Sequence, residues 1–214
     1  MNRVTTDTTP ASTYRPLLYM DLKREVTCSD AEDSFLGKYD GKLRDADSNE
    51  VAGRVGLYVV DLDGAGDAGH SAFDILDVEA ETAEYIELLS AKDDGDFSPA
   101  VNALLNEEFA YSNNMLIINV VELLPRYRGY GLGLTCLETC LRHFRLGCRI
   151  AAIKPFPLQF LGGIKDSEDW SAGLELASLD RNKRTSTQKL RQHYSRLGFR
   201  HVRGTELMIY DLCS

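Results

Sequence analysis

A chain of 214 residues and 23.9 kDa, 43% hydrophobic and 27% charged, carries apolar material for one substantial core and is short for two. Its 33 acidic against 24 basic side chains give a formal charge of −9, which disfavours a general nucleic-acid binder, because phosphates repel a surface of that sign unless a strong basic patch offsets it. The 17 Gly and 6 Pro are ordinary usage, so collagen-like, coiled-coil and disordered chains are also set aside.

The opening MNRVTTDTTPAS is polar and Thr-rich and lacks the apolar run of a signal peptide, so residues 1–13 read as a flexible N-terminus. Residues 14–214 read as a single domain of the α/β (α+β) class. Residues 14–20 are expected as a first strand, while 28–50, with Phe35, Leu36, Tyr39 and Leu43 as scattered anchors, suit a short helix or a solvated loop equally. Residues 51–61, VAGRVGLYVVD, form a β-rich strand, and GAGDAGH supplies the turn after it. Residues 73–78 are expected to continue the sheet.

Two helices should follow, one over 80–89 and one over 99–106, the second with Ser98 as N-cap and Pro99 at its first position. An acidic loop, DDGD at 93–96, separates them. Residues 115–124 make the strongest strand of the chain, running directly into Pro125, Arg126, Tyr127, Arg128 and a glycine cluster. Over 132–144 the set Leu132, Cys136, Leu137, Cys140, Leu141, Phe144 repeats with a period near 3.6, and Gly147 stops the helix. Residues 150–153 are a short buried strand stiffened downstream by Pro155 and Pro157. Residues 162–187 read as a loop with a helical piece around 172–179. A helix over 189–197 ends at Gly198, and strands over 199–202 and 206–212 finish the chain.

No stretch approaches 18 apolar residues, so no membrane partner is expected. Five cysteines, at 28, 136, 140, 148 and 213, show no paired CxxC or Cys/His spacing, so no metal site is expected and a reducing, cytoplasmic setting fits. Cys136 and Cys140, one helical turn apart, read as buried small hydrophobes or as ligand or reactive thiols. His143, His193 and His201 join no catalytic or metal constellation.

The charge is unevenly spread. Residues 1–110 hold 24 acidic and 9 basic side chains, net −15, and residues 111–214 hold 9 acidic and 15 basic, net +6. The acidic half is explained by solubility or by a cationic or amine substrate. The positive half suits an anionic ligand and carries RYRGYGLG, with Gly129, Gly131 and Gly133 at alternate positions between strand and helix. Such a turn exposes backbone N–H groups beside the positive end of a helix dipole and can cradle phosphate oxygens, with Arg126 and Arg128 adding charge at its rim. It is neither a Walker A loop nor GxGxxG followed by an acidic residue, and GxGxG alone reads equally as a tight turn.

The run from Leu123 to Gly133, LLPRYRGYGLG, resembles the acyl-CoA signature [QR]xxGx[GA] of the GNAT superfamily of N-acetyltransferases, its core being Arg128, Gly131 and Gly133. The later run LRQHYSRLGFRHV at 190–202 is similar to the second signature, in which a tyrosine-bearing helix ends in Leu-Gly-Phe before a strand. The resemblance covers 114–210 and implies a mixed, splayed central sheet flanked by helices. It further implies acetyl-CoA as cosubstrate, with pantetheine pairing near Leu123 and Leu124 and the pyrophosphate received by Arg128, Gly129, Tyr130, Gly131, Leu132 and Gly133. Tyr194 matches the position whose hydroxyl serves as acid for the thiolate; it would also pack on the Gly198 turn.

An amine must lose a proton to attack a thioester. Glu122, at the end of the central strand, is the candidate base, though an isolated strand carboxylate could equally face solvent or pair with Arg126. Asn119 would orient a water or substrate, or be a satisfied buried amide. Phe156, Gln159, Phe160 and Trp170 would line an acceptor pocket or pack their loop onto the body. The expected activity is acetyl transfer to a small-molecule, peptide or protein primary amine. The alternatives are a catalytically inactive acyl-CoA-binding protein of this fold and an unrelated α/β protein. A homodimer through the terminal strands is compatible with the sequence.

Overall fold

The computed structural model describes residues 15–28, 31–92, 95–106, 112–160 and 168–213. Seven strands, β1 (Leu18–Glu25), β2 (Leu36–Asp45), β3 (Val51–Val60), β4 (Met115–Leu123), β5 (Ile150–Ile153), β6 (Arg200–His201) and β7 (Met208–Asp211), form one sheet in the order β1-β2-β3-β4-β5-β7-β6. Only β4 and β5 run parallel; the other neighbours are antiparallel. The arrangement is an α+β domain with a mixed sheet flanked by helices, consistent in general terms with a GNAT-like architecture.

Alternation along β3 and β4 divides the core in two. Tyr58, Val60, Met115 and Ile117 face α1 (Leu62–Ala68), α2 (Ala72–Asp77), a 3-10 segment (Ala83–Leu88) and α3 (Pro99–Asn102). Val55, Leu57, Leu116 and Ile118 face α4 (Leu132–Phe144), whose Cys136, Leu137, Cys140 and Leu141 are buried, while Tyr194 and Leu197 close the same cluster from α6 (Lys183–Ser195) and the turn after it. Between them lies α5 (Glu168–Gly173).

Strand β1 spans Leu18–Glu25 rather than 14–20, and residue 14 lies outside the described residues. The first half departs furthest from the sequence expectations. Residues 36–45 are a full strand, not a helix or loop: Lys38, Asp40, Lys42 and Arg44 share one face and Tyr39, Gly41 and Leu43 the other. Charges on the exposed face concealed this alternation. Gly41 is required there, since an added Cβ would stand 2.3 Å from Val55 Cγ1. The stretch after β3 is helical rather than a turn, because the Asp61 carboxylate caps α1 by accepting from Gly64 N at 3.0 Å and Gly69, at φ +82°, ends it.

Residues 73–78 do not continue the sheet. Ser71 caps them, accepting from Asp74 N, and Ala72, Ile75 and Leu76 are buried at helical spacing. In place of a helix over 80–89 only Ala83–Leu88 are helical, as the tighter 3-10 segment, and buried Thr82 just before it donates its hydroxyl back to Leu76 O at 2.6 Å. Helix α3 stops at Asn102 rather than 106. Ser98 makes no side-chain cap, and Asn106 is drawn off by its N–H bond to Asp211 Oδ2 at 2.9 Å.

From β4 onward the match is close. Strand β4, helix α4 and strand β5 lie at the expected positions; α6 ends at Ser195 and not at 197, and Gly198 closes the turn after it in the left-handed region at φ +100°. Helix α6 begins six residues early because the Asn182 side chain caps it, accepting from Thr185 N. The helical piece expected around 172–179 is split into α5 and a 3-10 turn, Leu176–Ser178. Cys136, Cys140 and Cys148 are buried free thiols. Among the described residues no helix is long and apolar enough to cross a membrane, and no His/Cys/Asp/Glu group is placed to hold a metal ion.

Candidate functional site

Strands β4 and β5 pair only from Met115↔Ile150 to Ile118↔Ile153, yet β4 continues to Leu123. At the point of parting the β3 to β4 register slips between Gly56 and Leu57, so that Gly56 faces Val120 while Leu57 faces Ile118. Asn119 is the bulged residue. A bulge bends and twists its strand, and here it coincides with the separation of β4 from β5. Leu124 N donates to Ala52 O at 2.9 Å, and antiparallel alternation then turns the backbone groups of Val121 and Leu123 away from β3, toward the opening. A cleft of about 540 Å³ fills it, with walls from Ile118 to Leu123 on one side and Ile153 to Gln159 on the other, closed by Leu174, Leu176 and the α6 residues His193 and Tyr194.

The glycine turn lies at the wide end. Gly129 and Gly131 have φ of +86° and +75°, where a side chain is strained, and Gly131 is the N-cap of α4. Gly133 has ordinary helical φ; a Cβ there would make only a 3.8 Å contact with Leu123. Among the described residues the N–H groups from Gly129 to Leu134 have no acceptor, so they form a concentrated donor surface at the positive end of a 13-residue helix. Leu132 is buried with Ala52 and Tyr127 and anchors the turn, whereas Tyr130 is 46% exposed.

Neither rim arginine presents its charge to the turn. Arg126 pairs with Glu50 at 2.6 Å and lies over the Tyr127 ring. Arg128 turns back into the fold, donating to Leu123 O at 2.9 Å and Leu174 O at 2.6 Å, and burial pushes its pKa down. Its guanidinium therefore ties the chain after α5 to the end of β4. The cation that does reach the turn is Arg15, whose Nη2 donates to Thr135 Oγ1 at 2.7 Å and stands 3.9 Å from where a Cβ on Gly131 would lie. A cation against a helix N-terminus opposes the dipole, and a bound anion would relieve that repulsion. Nothing in the local sequence marks Arg15, because its placement depends on β1 bringing the N-terminal segment across to α4.

Glu122 is 5% exposed and does not pair with Arg126. Its Oε2 accepts the Trp170 indole N–H at 2.7 Å, and Arg54, its cross-strand partner, stacks over the same indole at 4.2 Å. Trp170 thus holds the carboxylate, so the 158–188 stretch contributes directly to the site. Asn119 is exposed, not a buried amide. Phe156 and Gln159 line the cleft; Phe160 sits at the end of a 3-10 turn, Leu158–Phe160.

Burial pushes the Tyr194 hydroxyl up to about 12, and among the described residues it has no hydrogen-bond partner. His193 on the same wall is shifted down by burial and by Arg196. Cys148 is likewise pushed up to about 12 and Tyr85 is raised further by burial. These raised values carry a stability consequence. The unfolded chain ionises first, so stability is intact below pH about 9 and falls as pH rises toward 12, by up to about 1.4 kcal/mol per pH unit for each group. Urea midpoints measured from pH 7 to 11 are expected to be level to about 9 and then to drop; a midpoint unchanged at pH 11 contradicts this burial.

A second cleft, about 980 Å³, lies over the β1 to β4 face and shares Asn119, Val120, Glu122 and Leu158 with the first. Glu122 therefore stands at the junction of two openings. No protein-family model matches the chain, and no curated protein matches it.

Proposed function

We infer that the protein is a GNAT-type N-acyltransferase that moves an acetyl group from acetyl-CoA to a primary amine. The observation that carries this reading is the parting of β4 from β5 directly above an N–H-lined glycine turn, with a buried carboxylate and a protonated phenol on the cleft walls. The donor surface and Arg15 suit a pyrophosphate, and the outward-turned backbone of Val121 and Leu123 suits an extended amide-bearing arm such as pantetheine. Leu124 N is already used by Ala52 and Leu123 O by Arg128, which leaves Leu123 N–H and both Val121 groups for that role.

In the proposed reaction the amine nitrogen attacks the thioester carbonyl carbon. A C–N bond forms, the C–S bond breaks and its electron pair leaves on sulfur. Glu122 receives the proton lost by the amine. Tyr194 donates a hydrogen bond to the departing sulfur. Because a phenol near 12 lies well above the ordinary thiol value of about 8.5, Tyr194 keeps its proton and solvent supplies the one that the thiolate takes up.

Calorimetric titration with acetyl-CoA, desulfo-CoA and a longer acyl-CoA tests the reading. Micromolar binding is expected, weakened tenfold or more in Gly131→Val, whose branched side chain cannot hold φ +75° without strain. Absence of binding by all three ligands overturns it. Binding without transfer to any amine would identify an acyl-CoA-binding protein instead.

A further inference from the structure

The second cleft has an unusual charge composition. Residues 1–110 carry 24 acidic and 9 basic side chains, yet that part of the chain contributes to this groove five cations, Lys23, Lys38, Lys42, Arg44 and Arg54, against three acids, Asp21, Asp40 and Glu81. The cations of an acidic half have been gathered on one sheet face. Register explains how, since Asp21↔Lys42, Lys42↔Arg54 and Arg54↔Glu122 make a continuous row across β1 to β4.

Within that row Lys42 and Arg54 are direct cross-strand partners, an arrangement of like charges that destabilises a sheet. Asp21 could neutralise Lys42 but gives its carboxylate to Arg44 at 3.1 Å. Among the described residues Lys42 takes no ion pair or hydrogen bond. Lys42 and Arg54 on the floor of a groove, the latter also stacked on Trp170, with Glu122 one strand beyond them, offer complementary seats for an anion and an ammonium group. Strands lie about 4.8 Å apart, so the two seats are separated by roughly 5–10 Å.

We propose that the acceptor is an amino-acid-like zwitterion, whose amine approaches Glu122 and whose carboxylate is held between Lys42 and Arg54. This inference rests on the N-acyltransferase reading. It disfavours polyamines and other polycations, whose second ammonium group would meet Lys42 and Arg54 beside Glu122 instead of a carboxylate.

Thiol release from acetyl-CoA is to be measured with matched acceptors: 5-aminopentanoate, its primary amide, pentylamine and spermidine, with 6-aminohexanoate and its primary amide as a second pair. The carboxylates are expected to show kcat/KM at least tenfold above their uncharged counterparts. Lys42→Ala, at an exposed position, should raise KM for 5-aminopentanoate fivefold or more with kcat little changed, and Lys42→Glu should move the preference toward spermidine. Equal turnover of acid, amide and amine, or spermidine preferred by the unaltered protein, overturns the zwitterion and leaves the acyltransferase standing. Acetyl-CoA binding with no transfer to any of them removes both.

Discussion

Replacing Arg149 with alanine is expected to lower the unfolding free energy by about 3–5 kcal/mol, the usual cost of leaving a buried ion without its partner. Arg149 and Asp211 are 2% and 4% exposed. Arg149 Nη1 meets Asp211 Oδ1 at 2.6 Å, Nη2 donates to Asn106 O at 2.6 Å, and Asp211 also accepts from Asn106 N and Cys213 N. Removing the guanidinium takes away the cation that Asp211 meets at 2.6 Å. The urea midpoint reads the loss. Arg149→Met combined with Asp211→Leu should recover much of it, because an apolar pair avoids desolvating two charges; failure of the double variant to recover would mean that Asn106 needs Asp211 for its own position.

The same cluster bears on function through β5. That strand has only four residues, and its first, Ile150, follows Arg149, whose N–H bonds Asn114 O at 2.8 Å just before β4. The parallel pair is therefore clamped at one end and open at the other. Loosening the clamp should reduce acetyl-CoA binding in step with stability and not beyond it.

How much of this was legible in the sequence follows from where each signal resides. Strand β4, the glycine turn and helix α4 were readable because an apolar run, positive-φ glycines and a 3.6-residue period are local properties. Strand β2 was not. Its outward face carries Lys38, Asp40, Lys42 and Arg44, so half of its alternation resembles a loop, and its strand character depends on pairing with β1 and β3. Helix α2 is hidden for another reason: Ser71 and Asp74 mark a capped start, but a six-residue helix gives too short a period to outweigh the aromatic and aliphatic content of 73–78. Glu122 and Tyr194 could be nominated from the sequence, whereas the indole holding Glu122 could not be assigned. Trp170 lies 48 residues away, and only the return of the chain across the cleft joins them.

Glu122→Gln is expected to lower kcat/KM for acetyl transfer about 100-fold at pH 7, within the range for loss of a general base. The substitution keeps the size of the side chain, and its amide oxygen can still accept the Trp170 N–H, so acetyl-CoA affinity should change little. The pH dependence separates loss of the base from loss of packing. Without a proton acceptor only amine already deprotonated in solution can react, and that fraction grows tenfold per pH unit below the amine pKa, so the deficit should narrow steadily as pH rises. A deficit that stays constant across pH, or that appears in acetyl-CoA affinity, would remove Glu122 from the chemistry. Trp170→Phe supplies the intermediate case. It keeps an aromatic ring beneath Arg54 but deletes the N–H at 2.7 Å from Glu122, so a 5- to 10-fold fall in kcat with little change in KM for acetyl-CoA is expected. In the Glu122→Gln background the same change should add almost nothing, because the indole acts through the carboxylate that is already gone.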